Sequence, residues 1–290
     1  MDAPPHSPGR PMRLETSAGP LEDGDCLNAK EFLRRCEALP QPAKVELVEG
    51  IVQLDPLRNS PQSLGPRSVI TVCLERYARA TPGLRFAAQP LVLLDRENVL
   101  RPDGVLQILP PHERPPLPSC GHPLEGTAEG GAQRDNVRSS ACESSLPENA
   151  PHVPAINRIA GAPELMAEAI FSRGINDLRA KLAAYRRNGV REFIAWRVSE
   201  NQVEWFQMDK GEYTLNLPGP NNTISSRVFP GLVLNLTALL THDQAGLART
   251  LQARLNQPDH EAFVKRLAAR KLGAGYCADR GIDDRSTGEP

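Results

Sequence analysis

The chain has 290 residues, 40% of them hydrophobic and 24% charged, enough for one large domain or two small ones with a packed core. Its net charge of -1 excludes a globally basic nucleic-acid binder, so any such partner must be held by a local basic face. Aromatic residues at only 4%, beside 28 prolines, point to unstructured segments flanking one folded unit.

Residues 1–24 are rich in Pro, Gly and Ser and are expected to be disordered. They contain no apolar stretch of the kind a secretory signal needs. Nowhere do about 18 apolar residues run together, so no membrane span is expected. The six cysteines (Cys26, Cys36, Cys73, Cys120, Cys142, Cys277) form no CxxC pair and have no zinc-ligand spacing. Scattered reduced thiols of this kind predict a cytoplasmic protein.

A short helix is expected over 28–39, with Phe32 and Leu33 facing inward. Lys44–Leu54 (KVELVEGIVQL) has apolar residues on both sides of Glu49-Gly50 and reads as a β-hairpin. Pro61–Pro66 reads as a loop, and 67–80 as a buried helix carrying Val69, Ile70, Val72, Cys73, Leu74 and Tyr77, stopped by Pro82-Gly83. Three short apolar runs with strand character follow at 84–88, 91–94 and 105–109, the dipeptide Pro102-Asp103 standing just before the last.

From 110 to 156 periodicity is lost. A structureless stretch of this length is uncommon inside a compact domain. It is read as a disordered insertion between two core strands, with a domain boundary as the alternative. Order returns with a strand over 164–171. A turn and a helix over 177–188 follow, with Asn176 or Asp177 as N-cap and Gly189 just past the end. A strong strand at 192–198, a meander at 203–208 and 212–217, and a strand region at 226–236 complete the core. Residues 242–271 read as one or two amphipathic helices, with Leu247, Leu251 and Leu255 on one face. The domain reading is therefore a core over 25–240, interrupted at 110–156, with a helical extension and polar tail at 241–290. No GxGxxG or GxxxxGK[ST] occurs, which argues against dinucleotide and P-loop chemistry.

Three residues are candidates for chemistry. Asp103 stands at the start of an apolar strand, Glu168 lies inside one, and Lys181 lies on the helix that follows. Lysine is scarce here, six residues against 28 arginines, and Lys181 is kept in a helix that otherwise uses Arg179, Arg186 and Arg187. Lysine can shift its pKa and orient a water, whereas arginine stays charged. Phosphodiester hydrolysis uses such a set: two carboxylates hold a hard ion such as Mg²⁺, which polarises the phosphoryl oxygen and acidifies the attacking water. An ammonium nearby positions that water and offsets charge building on phosphorus. Arg173, Arg179, Lys181, Arg186, Arg187 and Arg191 against Asp177 and Glu192 make a local basic stretch able to hold phosphates.

LVEGIV (Leu47–Val52), RPD (Arg101–Asp103), APELMAEAI (Ala162–Ile170), DLRAKLAAYRRNGVREFIAW (Asp177–Trp196) and FPGLVLNL (Phe229–Leu236) succeed one another in an order that resembles the Uma-type restriction endonuclease family, of the PD-(D/E)xK superfamily. The resemblance covers about 45–240 apart from the insertion. It implies an α/β, restriction-endonuclease-like core with a mixed central sheet flanked by helices, here with added C-terminal helices. It also implies Asp103 and Glu168 as metal carboxylates, Lys181 as catalytic lysine, Mg²⁺ (or Mn²⁺) as cofactor and DNA as substrate. Glu46 and Glu49 either assist at the metal or stabilise the turn, with Glu46 favoured. The chain departs from the family pattern in lacking a His between hairpin and first long helix. Phe171–Gly174 replaces the usual Ser-Pro-Ser, and Ile170 holds the position where the superfamily places its lysine.

The expected activity is Mg²⁺-dependent endonucleolytic hydrolysis of DNA. A homodimer would supply the two active sites that double-strand cutting requires. The alternative is an inactive nuclease-fold module that binds nucleic acid or a protein partner, and RNA or a small phosphodiester stays open as a substrate. In space, Asp103 and Glu168 are expected to share one ion, with Lys181 opening into the same cleft.

Overall fold

The computed structural model describes residues 20–37, 44–55, 61–113, 157–171 and 175–269. The expected disorder of 1–19, most of the 110–156 insertion and the C-terminal tail lie outside these residues. Residues 20–24, expected to be outside the fold, pack onto the first hairpin. Leu21 is buried, Gly24 N–H donates to the Val52 carbonyl at 2.8 Å, and Leu54 N–H donates to Asp23 Oδ1 at 2.8 Å.

Helix α1 (Ala29–Glu37) precedes the hairpin of β1 (Lys44–Val48) and β2 (Ile51–Asp55). The hairpin turns at Glu49 and Gly50, whose φ values of 53° and 74° are those of a tight turn that matches strand twist. Helix α2 runs Pro61–Arg79, so the expected Pro61–Pro66 loop is helical instead. Proline at a first helical position loses nothing, because that N–H has no partner in any helix. Pro66 costs one interior hydrogen bond, and the apolar residues that follow anchor the helix regardless.

Strands β3 (Leu84–Ala88), β4 (Leu91–Leu93), β5 (Val99–Leu100) and β6 (Gly104–Ile108) come next, then β7 (Arg158–Ala160) and β8 (Leu165–Ile170). Helix α3 begins at Ile175 and ends at Asn188, two residues earlier at its start than expected. Asn176 and Asp177 therefore fall within its first turn rather than at the N-cap. Beyond it lie β9 (Glu192–Arg197), β10 (Gln202–Asp209) and β11 (Glu212–Asn216). The expected strand at 226–236 is instead a hairpin, β12 (Thr223–Ser225) with β13 (Val233–Asn235), and Pro230-Gly231 lies in its connection. Helices α4 (Leu236–Leu240), α5 (Gln244–Leu255) and α6 (Pro258–Ala269) follow.

The strands form a six-stranded sheet in the order β11-β10-β9-β8-β6-β3, a five-stranded sheet in the order β2-β1-β5-β4-β7, and the β12-β13 pair. In the larger sheet β8 and β9 are parallel, joined by α3, while β6 and β8 are antiparallel with Gly104 opposite Ala167. The sheet is thus mixed and flanked by helices, as the fold class expected.

Alternation along the strands sorts the core. Leu165, Ala167, Ile194 and Trp196 pack with α2, α5 and α6 on one face. Met166, Phe193 and Ala195 pack on the other, with Leu178 and Tyr185 of α3 and with Val48, Val92 and Leu100 of the smaller sheet. The smaller sheet covers its far side with α1, through Phe32, Val45, Leu47 and Val52. Each fully buried apolar side chain contributes about 1.5–3 kcal/mol. The β1 residues that alternate with Val45 and Leu47, namely Lys44, Glu46 and Val48, are left on the side that meets α3 and the larger sheet.

Candidate active site

Glu168 sits on β8, one of the innermost strands, and shares by alternation the face of Met166 that α3 covers. Lys181 is on α3, the crossover between β8 and β9, on the turn between Leu178 and Tyr185. The crossover folds the helix back over the strand it leaves, so that the two side chains meet. Lys181 Nζ donates to both Glu168 oxygens, at 3.0 and 2.9 Å, and to Glu46 Oε2 at 2.8 Å. Glu46 comes from β1 of the other sheet, and its Oε1 accepts from the Arg101 backbone N–H at 2.7 Å.

A fourth group completes the set. Lys44, two residues before Glu46 and on the same side of β1, donates to Glu168 Oε1 and stands 3.4 Å from Glu46. Two acids and two ammonium groups therefore form a closed tetrad, all of them buried. It lies in a cleft whose charged lining is Lys44, Glu46, Asp55, Glu168, Asp177 and Lys181. Burial alone would push the Glu46 carboxyl up. Attraction to Lys181 and Lys44, with the two hydrogen bonds, outweighs this and holds Glu46 well below the usual carboxylate range. Burial likewise works against the charge on Lys181, but Glu168 and Glu46 hold its pKa well above the ordinary lysine value. That direction keeps Lys181 in its charged ammonium form while both acids face it.

Asp103 comes from the segment between β5 and β6. It is fully buried directly before β6, and one step beyond the Gly104–Ala167 pair the register sets it opposite Glu168. Its Oδ2 accepts the Ala169 N–H at 2.8 Å, and its Oδ1 lies 3.5 Å from Nε of the buried Arg67, a residue of α2. It does not line the cleft that holds Glu168 and Lys181. Hydrogen bonds therefore join Glu168, Lys181 and the weakly favoured Glu46, while Asp103 is buried across the β6–β8 pair from Glu168. The Glu49 carboxylate pairs with Arg187 at 2.6 Å on the surface, and its backbone N–H donates to Asn98 Oδ1 at 2.9 Å.

Lys44 was missed by sequence reasoning. The available signal was its i, i+2 spacing to Glu46 on a strand whose other face is apolar. Three of the six cations of the expected basic stretch are paired: Lys181 is in the tetrad, Arg186 pairs with Glu212 and Arg187 with Glu49, while Arg173 lies outside the described residues. Glu192 is buried elsewhere, accepting from Ser226 Oγ at 2.6 Å and from the Arg227 and Val228 N–H groups at 2.7 and 3.1 Å.

The stretch that carries Glu168 and Lys181 also carries a family resemblance. Residues 140–237 match the family model of Uma2, described as "Putative restriction endonuclease". That segment holds β7 to β13, and Lys44, Glu46 and Asp103 lie upstream of it. Among solved structures, the chain is similar to a "putative nuclease belonging to DUF820" from Anabaena variabilis ATCC 29413. The identity is 14%, over 74% of this chain and 98% of that one, with a TM-score of 0.49. No curated protein matches the chain.

The tetrad can be tested for its fit to a divalent ion. Glu46 and Glu168 are hard oxygen donors, and both already converge on the single cationic centre of Lys181. Mg²⁺ is commonly held by one or two carboxylates, with water and substrate phosphate filling the remaining positions. The pair fits that pattern. Among the described residues, no three His, Cys, Asp or Glu side chains cluster tightly enough to form an all-protein cage.

Proposed function

We propose that this protein is a nuclease that hydrolyses DNA phosphodiester bonds with Mg²⁺ or Mn²⁺ at the cleft between β1, β8 and α3. The observation that carries the reading is the convergence of Glu46, Glu168 and Lys181 in one buried cleft, two of them on the Uma2 segment. Glu168 and Glu46 would hold the ion. When bound, it would supply Lewis-acid polarisation of the phosphoryl oxygen and an acidified water.

The chain's own residues do the rest. Lys181, held charged, places positive charge beside the oxygens on which negative charge grows as phosphorus is attacked. In this reading Asp103 acts as a positioning residue. It fixes β8 beside Glu168 through the Ala169 N–H, and Arg67 offsets its charge. The recessed cleft excludes bulk water from the tetrad, which strengthens every charge interaction in it.

Plasmid cleavage across a metal series tests the reading. Cutting with Mg²⁺ or Mn²⁺ that is lost in Glu168→Gln and Lys181→Ala, with circular dichroism unchanged, supports it. No cleavage of single- or double-stranded DNA in any metal refutes it. A module that binds nucleic acid without cutting is the second reading, and one observation favours it: the tetrad is charge-balanced by its own lysines.

A further inference from the structure

The proposed function explains Glu46, Glu168 and Lys181 but leaves Lys44 without a part. Lys44 is the first residue of β1, is buried, contacts Glu168 Oε1 and lies 3.4 Å from Glu46. Its ammonium therefore stands against the same two carboxylates that would hold the ion. Glu46 and Glu168 carry two negative charges, and Lys44 and Lys181 cancel both. Removing either lysine would leave the acids with one surplus charge. Lys181 comes from the helix beside the acid-bearing strand and is fixed by three hydrogen bonds within the tetrad. Lys44 sits at a strand end, and the hairpin register sets it directly opposite Asp55, another acid of the cleft wall. An ammonium leaving the tetrad thus has a second carboxylate within reach on its own hairpin.

We infer that Lys44 is a resident counter-cation that competes with the divalent ion for Glu46 and Glu168, so that metal loading requires its ammonium to swing out of the tetrad. This inference rests on the nuclease reading above. Metal affinity of the free protein is weak as a result. A phosphate backbone entering the cleft strengthens it by offering Lys44 a new anionic partner.

Mn²⁺ binding to the purified full chain, without nucleic acid, tests this. Free Mn²⁺ is read by electron paramagnetic resonance for wild type, Lys44→Met and Lys44→Arg, with circular dichroism to verify folding. Lys44→Met is expected to bind Mn²⁺ about tenfold more tightly or better, because a unit charge a few ångströms from the ion is removed. Lys44→Arg keeps the charge and should stay within about threefold of wild type. A merely structural role for Lys44 would not separate these two variants by charge. Lys44→Gln stands in if the Met variant does not fold.

A second measurement needs no variant. Acetylation of wild type, mapped by mass spectrometry, should leave Lys44 protected in the metal-free protein and labelled under saturating Mn²⁺. Equal Mn²⁺ affinity in wild type and Lys44→Met, or a Lys44 that stays protected with Mn²⁺ bound, overturns the inference and leaves the nuclease reading standing. No Mn²⁺ binding by any of these proteins at millimolar concentration removes the metal-dependent reading, and the inference with it.

Discussion

Replacing Lys181 by Met tests the charge balance of the tetrad directly. The side chain makes three hydrogen bonds to two buried carboxylates, at 2.8 to 3.0 Å, and Met fills nearly the same volume without charge. Breaking a buried ion pair by removing one partner typically costs about 3–5 kcal/mol, because the other charge is left uncompensated. Here Lys44 stays behind and can answer only one of the two acids. The single variant should therefore lose about 3–5 kcal/mol in urea unfolding near about pH 7.5.

The pH dependence follows from the same count. In wild type, Glu46 has its carboxyl held below its ordinary value of 4.5. Its stabilisation is therefore fully present above that value and lost only as pH falls through the lower folded one. In Lys181→Met the folded protein instead takes up a proton on the surplus acid more readily than the unfolded chain does. That variant gains stability as pH falls, so its deficit should narrow between about pH 7.5 and about pH 5.5. Adding Glu46→Gln restores neutrality, and the double variant should be more stable than Lys181→Met by about 1–3 kcal/mol. A loss below about 1 kcal/mol, as for an exposed pair, would refute the reasoning. So would a double variant that is worse than either single one.

Glu192→Ala should destabilise by about 1–3 kcal/mol in chemical unfolding, since it removes the buried acceptor of the part-buried Arg227 and Val228 N–H groups. Glu192→Gln, which keeps one acceptor oxygen, should lose roughly half as much. Gly104→Ala places a Cβ 2.9 Å from Leu74 Cδ1 and 3.4 Å from Phe86 Cε2. A loss of about 1–3 kcal/mol by thermal unfolding is expected, partly recovered by adding Leu74→Val. Tyr77→Phe removes a 2.8 Å hydrogen bond to the Pro230 carbonyl and should cost about 1 kcal/mol by the same assay.

Much of this arrangement is legible in the sequence because it is local. The β1-β2 hairpin, the β8-α3-β9 unit and the β10-β11 meander each announce themselves by apolar period and by a glycine, in Glu49-Gly50, Asn188-Gly189 and Lys210-Gly211 respectively. The elements that escape are those held only by distant partners. β5 has two residues and is defined by pairing to β1 and β4, while β7 has three and pairs in parallel with β4, more than sixty residues earlier. The start of α2 is hidden because Pro61–Pro66 has the composition of a loop, and burial of the residues beyond it overrides that preference.

The site divides in the same way. Glu168 and Lys181 can be paired from sequence because thirteen residues of strand, turn and helix join them. Lys44 and Glu46 reach them only because the smaller sheet packs against α3, a contact with no local signature. Asp103 has the composition of a ligand, but the Ala169 N–H and Arg67 that surround it are visible only in three dimensions.

Because Lys44 and Glu46 arrive on one sheet and Glu168 on another, neither end of the polypeptide owns the chemistry. A fragment ending at residue 113 contains Glu46 without the helix that grips it, and one starting at 157 contains Glu168 and Lys181 without their acidic partner. Yet β6 from the first fragment and β8 from the second are ladder neighbours. The two pieces, mixed, would have to zip a shared sheet before the tetrad exists, so on the nuclease reading proposed above regained cleavage would be a direct readout of their reassociation.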